Sequence, residues 1–387
     1  MEKQAGFKNC VFVDSNPKNI DENASEFENT LILQYISDLK KSDPSRFKLK
    51  FLGLKPEIKV VNSNFFYNSY SITYDIKKYL LKISLDPGHK RLETEKQALE
   101  SVNSLVCPEI IDYTLDKKND IEFLLTSWEN GENFENLGID DFIYNLGTFS
   151  AVLDTIHESD TKNIASFESK FEENESISLI EEKLTQKELD LFESLSGLRF
   201  NKLNDLFLLI REKFLIKYKE DIPVLCHSNL KFSNILYQSE YIKVINFENS
   251  HVSDIYYSLL KVINNTQLYY SDKKVYQFLR KYHEHSRILG DLDLETFIQN
   301  FESKKELNRM LLLQDLVCKT VFHFFSYGAF SKKKLLSHYL YLYLNIKPTV
   351  EKFLPEYIEF FDKLFFTATD SLKTYDIDNI NLIHRRP

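Results

Sequence analysis

Residues 224–250 read VLCHSNLKFSNILYQSEYIKVINFENS, and the fold turns on this stretch. Two short apolar runs, Ile235-Leu236-Tyr237 and Ile242-Lys243-Val244-Ile245, flank a tight polar turn. A polar loop, His227 to Asn234, precedes the first run, and a second polar cluster, Asn246 to Ser250, follows the second. A hairpin of this form holds both clusters at one end of a rigid scaffold, where binding and chemistry are often placed.

Outward from the hairpin, composition narrows the class. The chain has 387 residues, 43% hydrophobic and 28% charged, which suits a globular protein with one large core or two lobes. A net charge of −9 disfavours a broad nucleic-acid-binding face. Cys10, Cys107, Cys226 and Cys318 are far apart and form no CxxC pair, so reduced thiols in a cytoplasmic protein are expected rather than disulfides or a zinc site. The N-terminal residues have no apolar core of the secretory type, and no apolar run is long enough to span a bilayer, so no membrane association is expected.

The front half alternates in strand fashion. Phe47–Leu52, Ile58–Val61, Tyr70–Tyr74, Tyr79–Ile83, Glu109–Tyr113 and Ile121–Thr126 are the expected strands. Ahead of them, Leu31, Leu33, Ile36 and Leu39 mark an amphipathic helix over Glu26–Lys41, ended by Asp43-Pro44. Lys82 lies inside the strand YLLKIS; it either points to solvent at a sheet edge or serves a site. Arg91–Leu105 reads as a helix whose Glu95 or Glu93 could reach back to Lys82. Behind Asp140 the pattern is helical apart from the hairpin. Helices are expected at Phe142–His157, within Leu189–Lys219, after a cap at Ser253 or Asp254, and at Lys274–His285, Leu294–Glu302, Lys305–Tyr327, Lys332–Leu344 and Thr349–Thr367. Residues 160–186 are acidic and polar, suiting an insertion or arm.

The order of parts resembles the aminoglycoside phosphotransferase and choline kinase-like family over roughly residues 47–345. The resemblance rests on HSNLKFSN (227–234), INFE (245–248), the strand lysine, the helix glutamate and FLLTSWENGENF (123–134), which is similar to an inter-lobe hinge. It implies an α+β, bilobal protein-kinase-like fold: an N-terminal extension (1–45), a small antiparallel-sheet N-lobe (46–127) and a large, mostly helical C-lobe (128–387). It also implies roles. Lys82 and Glu95 would hold nucleotide phosphates, and the hinge at Ser127 and Trp128 would meet the adenine, Trp128 by stacking or by packing beneath. Asn234 and Asn246 would occupy the metal-ligand positions, with Glu248 as a substitute carboxylate. His227 would bond the loop backbone, Lys231 would approach the transferred phosphate, and Asp254 would brace the loop and start the next helix.

The family pattern carries Asp where Asn229 and Asn246 stand. The first Asp orients or accepts the proton of the attacking hydroxyl, and the second carries Mg²⁺. An amide oxygen takes no proton near neutral pH, and Mg²⁺ favours charged oxygens. The segment Asn62–Ser69, where a phosphate-covering loop is expected, has no glycine. The sequence therefore reads as a pseudokinase that binds a small ligand or a protein partner. ATP and Mg²⁺ would be its cofactors only if activity survives. Two other readings stay open. One is a divergent ATP-dependent phosphotransferase for a small hydroxyl acceptor. The other is an assembly protein that reuses the fold, with Phe65, Phe66 or Trp128 filling the cleft.

Overall fold

The computed structural model describes residues 26–42, 56–63, 67–74, 76–84, 90–117, 121–167, 201–238, 240–266, 268–326 and 329–370, with a few single positions between 186 and 199. The expected strand Phe47–Leu52, the aromatic pair Phe65 and Phe66, and most of the acidic stretch 160–186 lie outside these residues. Contacts divide the chain into two compact units. One comprises Pro17–Ser169 and Glu220–Gln299 with the N-terminal residues; the other is built mainly from Lys170–Lys219 and Asn300–Pro387.

The first unit opens with α1 (Glu26–Ser42) and a five-stranded antiparallel sheet of β1 (Glu57–Ser63), β2 (Asn68–Tyr74), β3 (Lys77–Ser84), β4 (Ile110–Asp116) and β5 (Ile121–Ser127), in the order β1-β2-β3-β5-β4. Strand alternation gives the sheet two apolar faces. On one, Tyr70, Ile72, Leu81, Ile83, Phe123 and Leu125 pack against Ile32, Tyr35 and Ile36 of α1. Tyr35 stacks on Phe123 with ring centroids 4.4 Å apart and donates its hydroxyl to Asp112 at 2.7 Å. The buried stripe of α1 thus runs through Ile32, Tyr35 and Ile36, and Leu33, expected to lie on it, is exposed. On the other face, Tyr67, Leu92 and Leu124 cluster beneath α2 (Arg91–Ser101).

After β5 the short strand β6 (Glu132–Asn133) joins β8 (Ile235–Gln238) and β9 (Tyr241–Val244) in a three-stranded sheet, which contains the expected hairpin. Gly131 makes this approach feasible. Its φ is +136°, and a Cβ there would lie 3.0 Å from the Tyr237 carbonyl oxygen. Helices α3 (Phe134–Leu137), α4 (Ile139–Tyr144) and α5 (Leu146–His157) follow, so the single helix expected over Phe142–His157 is interrupted at Asn145. A further pair of strands, β7 (Pro223–Cys226) and β10 (His251–Asp254), brackets the hairpin. Val252–Asp254 is therefore extended, and α7 (Ile255–Asn265) begins after it. Asp254, not Ser253, caps α7: its Oδ1 accepts the Tyr256 N–H at 2.9 Å, while Oδ2 accepts the Asp221 N–H at 2.8 Å. α7 is buried on all sides over Ile255–Ile263, as befits a central helix. α8 (Asp272–His285) packs on α5, where His157 bonds the Tyr282 hydroxyl at 2.6 Å and Ser258 at 2.9 Å.

The second unit contains α6 (Asn201–Phe214), most of α9 (Leu294–Ser326), α10 (Ala329–Phe353) and α11 (Ile358–Asp370). The helices expected at Leu294–Glu302 and Lys305–Tyr327 are one helix of 33 residues, because Ser303 and Lys304 carry no breaking signal and no Gly or Pro intervenes. α10 likewise runs through Pro348, joining Lys332–Leu344 to the start of the next expected helix. The break falls instead at Leu354-Pro355. Tyr343 stacks on Phe365 at 4.4 Å and donates to Asp362, which also receives Lys347 at 2.8 Å.

Cys107 and Cys226 are buried free thiols, and burial pushes the Cys107 thiol up to about 12, which keeps it inert. Among the described residues, no helix is long and apolar enough to cross a membrane.

Candidate functional site

Lys82 lies on the middle strand of the sheet, so an edge position is excluded. Its register partners are Ser69 on β2 and Leu124 on β5, which turns its side chain to the α2 face. On α2, Glu95 lies on the same buried stripe as Leu92, Ala98 and Leu99, whereas Glu93 is half-buried. Helix rotation therefore selects Glu95. The Lys82 ammonium donates to Glu95 Oε1 at 2.8 Å and Oε2 at 2.7 Å, and to Asn246 Oδ1 at 2.9 Å. These three acceptors match the three protons of the ammonium. Lys82 is 3% exposed. Burial by itself would lower its pKa; the Glu95 carboxylate outweighs this, and the lysine is held above its ordinary range.

Asn246 has φ +67°, a left-handed conformation that Asn tolerates better than most residues. This turn aims its amide back at Lys82. Polarity then fixes the whole chain of bonds. An ammonium can only donate, so Asn246 must present Oδ1 to it. Its Nδ2 is left to donate to Asn234 Oδ1, at 2.8 Å. Asn234 must then donate from its own Nδ2, to the Asn229 carbonyl oxygen at 2.8 Å. A one-directional relay runs from Lys82 through Asn246 and Asn234 to the backbone of the first polar loop. The Asn234 carbonyl oxygen meets the Ile245 N–H at 3.1 Å and ties the two loops again.

His227 is buried between them. Its Nε2–H donates to the Ile245 carbonyl at 2.9 Å, and its Nδ1 accepts the Asn229 N–H at 3.3 Å, which defines the neutral tautomer. Burial lowers its pKa to about 4, so it stays neutral in this role at neutral pH. Its ring meets Phe247 edge-on at 4.5 Å. Ser228, next to it, takes a left-handed φ of +64°, and the turn it makes leaves Asn229 half-buried at the loop tip. Lys231 is exposed, and no described contact brings it to Lys82.

Glu248 is 10% exposed at its side chain, with Oε2 4.0 Å from Lys82 Nζ. Oε2 is buried without a hydrogen bond, while Oε1 accepts Asn249 Nδ2 at 3.4 Å. Arg91, the first residue of α2, donates to Asn249 Oδ1 and anchors the second loop to that helix. Tyr67 lies with its ring centroid 4.8 Å from the Lys82 ammonium. Sequence reasoning missed Tyr67, Arg91 and Asn249. Arg91 carries one legible signal, since it stands at the start of the helix that holds Glu95.

The expected hinge holds together by side chains. Ser127 pairs its N–H with the Glu109 carbonyl at 2.8 Å, and its hydroxyl accepts the Glu109 N–H and donates to Glu129 at 2.6 Å. Glu129 in turn pairs with Lys243 of β9 at 2.8 Å. Trp128 is half-buried, with the Lys78 ammonium 3.4 Å from its ring centroid. Asp254 Oδ2 accepts the Asp221 N–H and so braces the lead-in to β7.

The donor set does not fit Mg²⁺. The oxygens of Asn234 and Asn246 each already accept a hydrogen bond, from an amide and an ammonium, and neither carries charge. Beside them, Glu248 Oε2 is a buried carboxylate oxygen without a hydrogen bond, 4.0 Å from the Lys82 ammonium.

No family model and no curated protein matches this sequence. Solved structures do. An ethanolamine kinase of Plasmodium vivax is similar over 85% of this chain and 91% of its own, with a TM-score of 0.55 and 14% identity. A choline kinase of Cryptosporidium parvum is similar over 87% of this chain and 99% of its own, with a TM-score of 0.53 and 11% identity. An aminoglycoside phosphotransferase crystallised with streptomycin and ATP aligns over 79% of this chain and 93% of its own at a TM-score of 0.47 and 14% identity. The chain has the kinase-like fold of the choline and ethanolamine kinases.

Proposed function

We propose that this chain is a pseudokinase: a kinase-fold protein whose cleft holds a small ligand or a protein partner without efficient phosphoryl transfer. The relay from Lys82 to Asn229 carries this reading. It commits to hydrogen bonds the two oxygens from which the fold would hold a metal ion, and it leaves an amide where a base is needed. Phosphoryl transfer depends on positioning and on charge set against the phosphates, so losing both carboxylates costs orders of magnitude in rate.

The test is a thermal-shift and calorimetric series with ATP, ADP and Mg²⁺, paired with a turnover assay on a panel of small alcohols and amino alcohols. No metal-dependent ATP binding and no turnover are expected. Micromolar, Mg²⁺-dependent ATP binding with turnover on any acceptor overturns the proposal. Restoring both acids, as Asn229→Asp with Asn246→Asp, asks whether the rest of the cleft is intact.

One observation favours a second reading, a divergent small-molecule phosphotransferase. Glu248 keeps a buried, uncommitted carboxylate oxygen 4.0 Å from Lys82, where it could attract a cation. In that case Glu248→Gln abolishes turnover; an unaltered rate excludes it.

A further inference from the structure

Tyr67 immediately precedes β2, on the segment where the kinase-type reading expects phosphate to be covered. Its ring is 6% exposed and belongs to the apolar cluster of Leu92 and Leu124 under α2. The same ring lies 4.8 Å from the Lys82 ammonium, within cation–π range. The three ammonium protons are taken by Glu95 and Asn246, and the ring covers a further side. At 3% exposure Lys82 has almost no surface left for a ligand.

We propose that Tyr67 determines the specificity of the cleft by taking the place of an anionic ligand over Lys82, so that phosphate-bearing molecules are refused at this lysine. A ring face gives the ammonium a partner without charge. A phosphate must displace that ring to reach the ammonium. The ligand class that remains is uncharged or cationic. The inference rests on the kinase-type reading of the cleft, and it separates from that reading by experiment.

The probe is inorganic tripolyphosphate, titrated calorimetrically into the 387-residue chain in the presence of EDTA. Wild type and Tyr67→Phe are expected to show no binding at millimolar concentrations, because both keep a ring. Tyr67→Ala is expected to bind at least about tenfold more tightly, and adding Lys82→Met is expected to remove the gain. Equal affinity in wild type and a folded Tyr67→Ala overturns the inference. A second measurement needs no variant. The native wild-type chain is treated with an amine-acylating reagent and mapped by mass spectrometry. Lys82 is expected to react far more slowly than its strand neighbours Lys77 and Lys78, and labelling at their rate also overturns the inference. Neither result bears on turnover, so the pseudokinase proposal stands or falls separately.

Discussion

A single proton distinguishes this site from one built around a cation. Asn246 carries it on Nδ2 and gives it to Asn234. An Asp in its place would face Asn234 Oδ1 with a second oxygen. Turning Asn234 over would only set its oxygen against the Asn229 carbonyl. Asn246→Asp is therefore expected to cost ~1–3 kcal/mol in EDTA, and millimolar Mn²⁺ is expected to recover part of it by sitting between the oxygens. Thermal melts with and without Mn²⁺ check this; wild type should not shift. The buried pair gives a second expectation. Lys82→Met strands Glu95 and is expected to cost ~3–5 kcal/mol by urea denaturation, while Lys82→Met with Glu95→Met costs less than the sum of the single changes. The spacing of His227, Asn229, Asn234 and Asn246 was legible because all four lie within one hairpin. The choice between Glu95 and Glu93 was not, since it depends on the rotation of α2 over the sheet. Tyr67 was invisible for a similar reason, because an aromatic beside a strand reads as core until its neighbour is known to be an ammonium.

At the level of elements, local periodicity identified the long pieces and the two hairpin strands but missed β6, β7 and β10. The central strands and α5, α7 and α8 follow from patterns of apolar residues. β6, β7 and β10 have two to four residues each and exist because distant segments pair, as Pro223–Cys226 does with His251–Asp254. The gap expected between Leu344 and Thr349 is absent, since the helix continues through Pro348. Gly131 is the element-scale test. Its positive φ and the 3.0 Å approach to Tyr237 O leave no room for a methyl group, so Gly131→Ala is expected to cost ~1–3 kcal/mol and loosen β6 from β8. Hydrogen exchange at Leu236 and Tyr237 would read this directly. Tyr35→Ala should be costlier, at ~3–5 kcal/mol, since it removes both the stack on Phe123 and the bond to Asp112.

Across the molecule, the switch from strands to helices near the hinge was legible in the spacing of apolar residues, and the kinase-like fold was implied by the resemblance that residues 227–234 and 245–248 carry. The division into two compact units leaves no mark in composition, because it is set by which helices touch. Burial of His157 and His227 contributes to the response of the chain to acid. Burial lowers His157 to about 3 and His227 to about 4, against about 6.5 when unfolded. Below about pH 6.5 the unfolded chain binds protons that the folded chain refuses. Stability therefore falls as pH drops, with each histidine adding up to ~1.4 kcal/mol per pH unit until its folded value is reached. Urea midpoints at pH 7 and pH 5 test this, and a folded His227→Gln should show a shallower decline. The stack of Tyr35 on Phe123 also has a bearing on synthesis. α1 leaves the ribosome before β5, and the ring that Tyr35 stacks on is encoded 88 codons later (123 − 35). At ~5–20 residues per second, Tyr35 waits roughly 4–18 s for Phe123. During that interval the Tyr35 ring is without its stacking partner, and codon usage across residues 36–123 sets how long that lasts.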